Sequence, residues 1–444
     1  MTRVSAKEVT IGIDIGTTAV KAVAADQDGE VVARTRIPHQ LLVPAPDRLE
    51  HDADEAWRRG PLAAIAALGR PDATAVAVTA MVPSLTAVDD VGRPLTPGLL
   101  YGDSRGRGTA GADATFLTGE TVEFLRWTAR EAPDAKGYWP AAAVANYALA
   151  GKAVLDNASA STTYPLFDGT GWSEDGCAEC GATADRMPRV ERTGAAAGRL
   201  RDARAVLAAG SVDALCEQLV AGAHRDGDVV VLCGTTLIVW ITIPEYREAP
   251  GLWTLPHTAA GKFQIGGPSN AGGLFLGWMN RLVAEDNSTV EPGRVPVWSP
   301  YVRGERAPYH DPDRRAVLGG LDLTHGGASV RRAGYEASGF VVRQIIELSR
   351  APAGRIVATG GGTRVRQWMQ AIADATGLPV EVSAVPEGAA LGAAFLGRMA
   401  VGLETSAADA ARWASTEHVV EPDPAWTEPM QHRYARFLEL SRPL

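Results

Sequence analysis

Ile11 to Val23 reads IGIDIGTTAVKAV: an apolar, β-branched run carries one aspartate, turns through Gly16-Thr17-Thr18 and resumes. Two strands joined by a tight turn are what this stretch can form. An aspartate is rare inside such a strand, because an unpaired buried charge is expensive. Gly16 admits a ligand close to the backbone, and Thr17 and Thr18 add hydroxyl and N–H donors at the tip. A carboxylate for a metal ion beside donors for phosphate is what a nucleotide site needs. An ordinary hairpin with a polar tip has the same residues, so the stretch alone leaves both readings open.

At 444 residues the chain exceeds the size at which one core keeps growing, and two domains are expected. A formal charge of −9 and a pI near 5.5 argue against nucleic acid or an anionic membrane as partner. Ala141 to Val154 is alanine-rich but too short to span a bilayer. The opening Met1 to Glu8 lacks the apolar core of a signal peptide, so the expected location is the cytoplasm. Four cysteines do not make a disulfide framework in a chain this long. Cys177 and Cys180 form a C-A-E-C unit, read here as thiols on a surface loop rather than as half of a metal or redox site.

Strand signals run over Val4–Ile13, Val20–Ala25 and Val31–Ile37, with Asp26 to Gly29 as a hairpin turn. Asp54 to Ala67 reads as a helix capped by Asp52 or Asp54, and strands follow at Ala73–Thr79 and Leu85–Val88. Such alternation predicts a mixed α/β sheet with helices on its faces. Beyond a helical Val212 to Ala223, the apolar run Val229 to Cys233 stops at Gly234-Thr235-Thr236 and restarts at Leu237. The opening pattern thus recurs half a chain later, as two related domains would have it. Arg355 to Thr359 runs into Gly360-Gly361-Gly362 and then a helix, a platform suited to an anion or a nucleotide. Glu387 to Ala394 reads as a small-residue helix that packs tightly and carries no chemistry.

Taken in order, these segments resemble the FGGY carbohydrate kinases of the actin–hexokinase superfamily, in their xylulokinase-like branch. IGIDIGTTAVKA is similar to the first phosphate motif, DRLEHDADEAW to the acidic-Trp segment and LLYGDSR to the sugar-side W-N-D-x-R segment. LFDGTGWSED resembles the mid-domain turn, and AAGSVDALCEQLVAGA the helix start that carries the catalytic aspartate. VVLCGTTLIVW resembles the second phosphate motif and SNAGGLFLGWM the glycine pair beside the nucleotide; SPYVRGERAPYHDP and VATGGGTRVRQWMQAIADATGLPVEV are the longest matches. The resemblance implies two related ribonuclease H-like domains, residues 1–224 and 225–444, with mixed sheets, flanking helices and an inter-domain cleft that closes about a hinge near Gly222 to Gly227. It also implies ATP and Mg²⁺ as cofactors, a small sugar or polyol as acceptor, and leaves a homodimer open.

By the same resemblance Asp213 is the general base, Asp14 the metal ligand, and Gly16, Thr17, Thr18 and Lys21 face the transferring phosphate. Gly234 and Thr235 bind phosphate, and Gly272, Gly361 and Gly362 line the adenosine pocket. Met81, Val82, Asp103 and Arg105, with Asp213, contact the acceptor. An aspartate at a helix start is also a good N-cap, Lys21 can be a plain solvated strand residue, and Glu305-Arg306 is read as a structural ion pair. The chain departs from the family at Ala80 to Ser84, which lacks the polar residues of xylulokinase-like and glycerol kinase-like members, at Gly102 in place of Asn, and at Ala214. Three functions compete: a kinase of a ketose or polyol, foremost a pentulose such as xylulose; a regulatory binding protein with catalysis lost; and a kinase of a hydroxy acid held by Arg105.

Overall fold

The computed structural model describes residues 8–106, 120–258 and 261–442. Residues 1–7, which include the start of the first expected strand and most of the segment read against a signal peptide, lie outside the described residues. The chain divides into two compact units, Met1–Val220 with Glu387–Trp413, and Ala221–Pro386 with Ala414–Leu444. A division at residue 224 leaves the 387–413 return out of the first unit, although its small-residue helix is built into that unit's sheet.

The sheet of the first unit runs Ala196–Arg199, Val206–Ala208, Ala75–Ala80, Thr10–Ile15, Ala19–Ala25, Val31–Pro38. Thr10–Ile15 is antiparallel to Ala19–Ala25 and parallel to Ala75–Ala80, which is parallel to Val206–Ala208. The central strands TIGIDI and AVAVTA are buried throughout, whereas VVARTRIP at the edge alternates half-buried and exposed, as a strand with one solvated face must. Period two sorts the first strand. Ile11, Ile13 and Ile15 join a core with Trp57 and Ala64, while Thr10, Gly12 and Asp14 point to the opposite face.

Helix Gly388–Ala400 lies on that opposite face. Thr10 Oγ1 donates to the Ala394 carbonyl at 2.8 Å, and a Cβ on Gly12 would stand 1.7 Å from the Ala390 oxygen. A Cβ on Gly392 would stand 1.9 Å from the Cys216 oxygen, so the same helix also presses on helix Asp213–Ala221. The small residues of this segment are there for contact. On the other face the expected helix is a π-helical stretch, Asp54–Arg59, continued by the α-helix Gly60–Leu68. Asp52 caps it: its Oδ1 accepts the Glu55 N–H at 3.0 Å.

The second unit repeats this plan in a sheet running Trp253–Pro256, Phe263–Ser269, Leu237–Ile243, Asp228–Cys233, Arg355–Thr359, Val380–Ser383, Thr416–Val420. Again a hairpin closes through Gly-Thr-Thr, a third strand lies antiparallel beyond it, and two parallel strands flank the first on its other side. Both sheets also add an antiparallel strand past the second parallel one. The turns differ in length: Ile15 pairs with Val20, but Cys233 pairs with Leu237.

One expectation is overturned. Cys177 and Cys180 are not surface-loop thiols; they lie in and at the end of helix Glu174–Glu179, both buried, in a small core with Phe124, Leu125 and Leu166. The amphipathic helix Glu120–Glu131 covers them, a partner more than 40 residues away that the C-A-E-C spacing does not reveal. All four cysteines are buried thiols.

Gly12→Val is expected to lower the unfolding free energy by about 3 kcal/mol or more, because the helix must leave the strand to make room. Gly171→Ala, with nothing within 4 Å of the added carbon, is expected to shift it by less than about 0.5 kcal/mol. Denaturant unfolding of the two variants beside the parent chain measures both.

Candidate active site

Adjacent parallel strands end at one edge of a sheet, where α/β folds take their ligands. In the first unit Ile15 pairs with Ala80, and Ala80 is bridged in parallel to Val212. The chain therefore leaves the sheet side by side at Gly16, Met81 and Asp213. Three segments remote in sequence reach one edge.

Asp14 is 5% exposed, with its Oδ2 at 3.5 Å from Lys21 Nζ. Register accounts for the pair, since residues 14 and 21 face each other across the hairpin. Burial raises the Asp14 pKa and the nearby ammonium only partly offsets it, while Asp14 raises that of Lys21. Oδ1 is buried with no hydrogen-bond partner. A carboxylate half-compensated in this way is short of a cation. A Cβ on Gly16 would lie 3.4 Å from the Ala19 oxygen and 3.8 Å from Oδ2, ordinary contact distances. Among the described residues no group of three or more His, Cys, Asp or Glu forms a metal cage. A single carboxylate with an unpartnered oxygen suits Mg²⁺, which keeps most of its water and takes phosphate oxygens.

The turn beyond Asp14 is anchored from inside. Gly16 N–H bonds to the Ala19 carbonyl, Thr17 Oγ1 lies 3.0 Å from Tyr101 Oη, and the His39 N–H donates to the Thr18 carbonyl at 3.1 Å. His51 Nε2 lies 2.8 Å from the Thr17 carbonyl oxygen. Thr17 is buried and Thr18 exposed, so the Thr17 hydroxyl is engaged with Tyr101 and the outward side chain is that of Thr18. Tyr101 and His51 fall in LLYGDSR and DRLEHDADEAW, and only tertiary contact reveals what they hold.

Asp213 opens its helix half-buried, with Oδ1 accepting the Ala214 N–H at 2.7 Å. Residues 213, 216 and 217 share a helix face. Burial raises the Cys216 thiol pKa, with the carboxylates of Asp156, Asp213 and Asp14 adding to it, and Glu217 acts on Lys21. Cys216 and Glu217 on that face are thus within electrostatic reach of Asp14 and Lys21.

The remaining acceptor candidates are differently placed. Met81 is 2% exposed and belongs to the core, leaving Val82 half-buried at the edge. Asp103 is fully buried: it accepts from the Leu49 N–H and from Nε and Nη2 of Arg105. Arg105 also donates to Glu50 at 2.6 Å and lies over the Trp127 ring at 4.7 Å. Asp103 and Arg105 brace each other and tie segment 49–50 to segment 103–105.

In the second unit the Gly234 turn rests on the next helix. The Gly234 and Thr235 carbonyls accept from Gly273 and Leu274 at 2.8 and 3.0 Å. A Cβ on Gly272 would stand 2.4 Å from Thr236, so this glycine answers a backbone contact. Arg306 Nη2 donates to Thr236 Oγ1 at 3.1 Å. Glu305 accepts from Ser269 Oγ, from the Asn270 N–H and from the Arg306 N–H, and burial pushes its pKa up to about 7. The Arg306 charge acts on Glu305, as the ion-pair expectation has it, and the RGERAP loop also clamps the strand end before Gly272 with one residue and the Gly234 turn with the next.

The three glycines have separate reasons. Gly360 has φ of +92°, a Cβ on Gly362 would strike the Trp368 ring and the Cys233 oxygen, and Gly361 faces open space. Strands Asp228–Cys233 and Arg355–Thr359 are parallel, so Gly234 and Gly361 leave the same edge. A cavity of about 360 Å³ elsewhere in this unit is lined by Asp286, Arg331, Tyr335, Gln367 and Trp426, and by none of the glycines expected at adenosine.

Residues 9–213 match the N-terminal domain of the FGGY family of carbohydrate kinases, and residues 229–401 match its C-terminal domain. Gluconokinase of Bacillus subtilis (strain 168) is 26% identical over 453 residues, covering 88% of this chain and 87% of the relative. Xylulose kinase of Klebsiella pneumoniae is 26% identical over 482 residues, covering 98% and 99%. The crystal structure of gluconate kinase from Lactobacillus acidophilus has the same two-domain actin–hexokinase fold, with a TM-score of 0.81 at 19% identity over 98% of each chain. The chain belongs to the FGGY family of carbohydrate kinases and is a phosphotransferase.

Proposed function

We propose that this kinase transfers the γ-phosphoryl group of ATP to a hydroxyl of a small neutral ketose or polyol, foremost a pentulose such as xylulose, with Asp213 as general base. The observation that supports the reading is the shared sheet edge: the strand that carries Asp14 and the bridge just before Asp213 leave the sheet on either side of Ala80, and Asp14 has an oxygen with no hydrogen-bond partner. The Asp213 carboxylate takes the proton of the attacking hydroxyl as the new P–O bond forms and the bond to ADP breaks. Asp14 would hold Mg²⁺, which when bound neutralises phosphate charge. Lys21, Thr18 and the backbone at Gly16 and Thr17 face the transferring phosphoryl group. In the second unit Gly234, Thr235 and Gly361 take the nucleotide side, with Gly272 and Gly362 shaping the backbone that presents them.

Relatives named for gluconate and for xylulose stand at the same identity and do not separate the acceptors. Arg105 does. Its side chain is 6% exposed and already joined to two carboxylates, so an acidic acceptor would have to displace one of them. A neutral acceptor asks for no such exchange.

A coupled ADP-release assay over ketoses, polyols and hydroxy acids is expected to give turnover with neutral acceptors and none with gluconate. Turnover confined to acids would move the assignment to a hydroxy-acid kinase, and none with any acceptor while ATP still binds would favour a regulatory protein. Asp213→Asn is expected to lower kcat about 10²- to 10⁴-fold, with ATP affinity changed less than about threefold, because it removes a proton acceptor and keeps the shape.

A further inference from the structure

His51 and Trp57 have no part in the reaction as described, yet both are fully buried directly behind the phosphate turn. Trp57 Nε1 lies 2.9 Å from His51 Nδ1, and His51 Nε2 lies 2.8 Å from the Thr17 carbonyl oxygen. An indole N–H can only donate and a carbonyl can only accept. One tautomer satisfies both ends: Nδ1 accepts from Trp57, and Nε2–H donates to Thr17. Burial keeps the ring neutral, with its pKa lowered to about 4, and His39 acts in the same direction from 4.5 Å, edge-on. Trp57 sits in the π-helical stretch Asp54–Arg59, an irregularity frequent at functional sites.

The consequence lies one peptide further on. In a trans peptide the carbonyl and the following N–H point in opposite directions. A Thr17 carbonyl held inward by His51 therefore aims the Thr18 N–H outward, on the side where the Thr18 side chain is exposed. Tyr101 on the Thr17 hydroxyl and the His39 N–H on the Thr18 carbonyl keep the neighbouring groups from rotating.

We infer that His51, locked as its Nε2–H tautomer by Trp57, is a positioning residue that aims the Thr18 N–H at the phosphoryl group transferred from ATP. This rests on the reading that the phosphates of ATP meet the Gly16-Thr17-Thr18 turn. The role belongs to a neutral hydrogen-bond relay, and the carboxylates and ammonium of the site take no part in it.

The test uses the full chain with His51→Leu, His51→Gln and Trp57→Phe. Three measurements are made: titration calorimetry with the β,γ-imido analogue of ATP and Mg²⁺, KM for ATP and for the acceptor, and ¹⁵N NMR of the histidine ring nitrogens. His51→Leu is expected to weaken the analogue and to raise KM for ATP about tenfold, the worth of one buried hydrogen bond, with KM for the acceptor unchanged. His51→Gln, whose amide nitrogen replaces Nε2, is expected to recover most of that loss. In the parent chain His51 is expected to titrate as a pure Nε2–H tautomer, and in Trp57→Phe as a mixture of tautomers with an intermediate affinity. The inference is overturned if His51→Leu loses thermal stability while analogue affinity and KM for ATP stay within twofold, or if Gln restores no more than Leu. Should the Leu variant not fold, Gln and Trp57→Phe carry the same comparison. A parent chain that neither binds the analogue nor phosphorylates any acceptor would sink the kinase assignment itself, and this inference with it, before any variant is compared.

Discussion

Asp14 stands at the end of a strand whose neighbours are apolar, one oxygen at 3.5 Å from Lys21 and the other with no hydrogen-bond partner. The fold brings up groups that could satisfy it and turns them elsewhere. Thr79 faces Asp14 in the parallel register, but its hydroxyl donates to the Ser211 carbonyl at 2.7 Å. That bond leaves the carboxylate short of a partner and ties the end of strand Ala75–Ala80 to the residues just before Asp213. A single hydroxyl thus leaves the Asp14 carboxylate unsatisfied and ties down the residues at which the helix of Asp213 begins. Helix Gly388–Ala400 completes the arrangement by lying on the same face of the strand, which only Gly12 and a run of alanines allow.

The two units use one turn sequence for two electrostatic purposes. The position of Asp14 in the first hairpin is occupied by Leu232 in the second, and the second turn is one residue shorter. The first unit sets a charged group beside its turn and holds that turn by neutral hydrogen bonds from His51, Tyr101 and His39. The second sets Leu232 and Cys233 before its turn, with no acidic residue next to it, and holds the turn by Arg306 and by the helix behind Gly272. A common ancestor for the two sheets accounts for the shared strand order; the divergence lies in what each places behind the tip.

What could be read from sequence is what depends on neighbours in the chain. Both hairpins, the helix that Asp52 caps and the strand before the triple glycine are set by side-chain period and turn chemistry, and each lies within a few residues of its expected place. Contacts between remote segments could not be read. His51 meets Thr17 across 34 residues, Tyr101 meets Thr17 across 84, and Glu305 meets Ser269 across 36. In each case a residue inside a recognised motif supports another motif. The same blindness made Cys177 and Cys180 surface thiols, because the helix that buries them lies elsewhere in the chain. For Gly272 and Gly362 sequence suggests a ligand, but the close neighbour is protein backbone or an indole ring.

Acceptor recognition is correspondingly lean. Met81 is in the core, Asp103 has its oxygens on Leu49 and Arg105, and Arg105 is joined to Glu50 as well. Two carboxylates around one guanidinium leave this strut with a net negative charge, and it is continuous in sequence with His51 through Glu50. On the proposed function it serves the donor side, as a support for the residues that hold the Gly16-Thr17-Thr18 turn, and its charge disfavours an anionic acceptor. A site with few free side-chain donors discriminates weakly between neutral polyols that differ by one hydroxyl, because a hydroxyl that meets no built partner leaves none unpaired when it is missing. On the proposed function, selectivity then rests on the shape that Val82 and Pro83 give the edge and on which hydroxyl can reach Asp213.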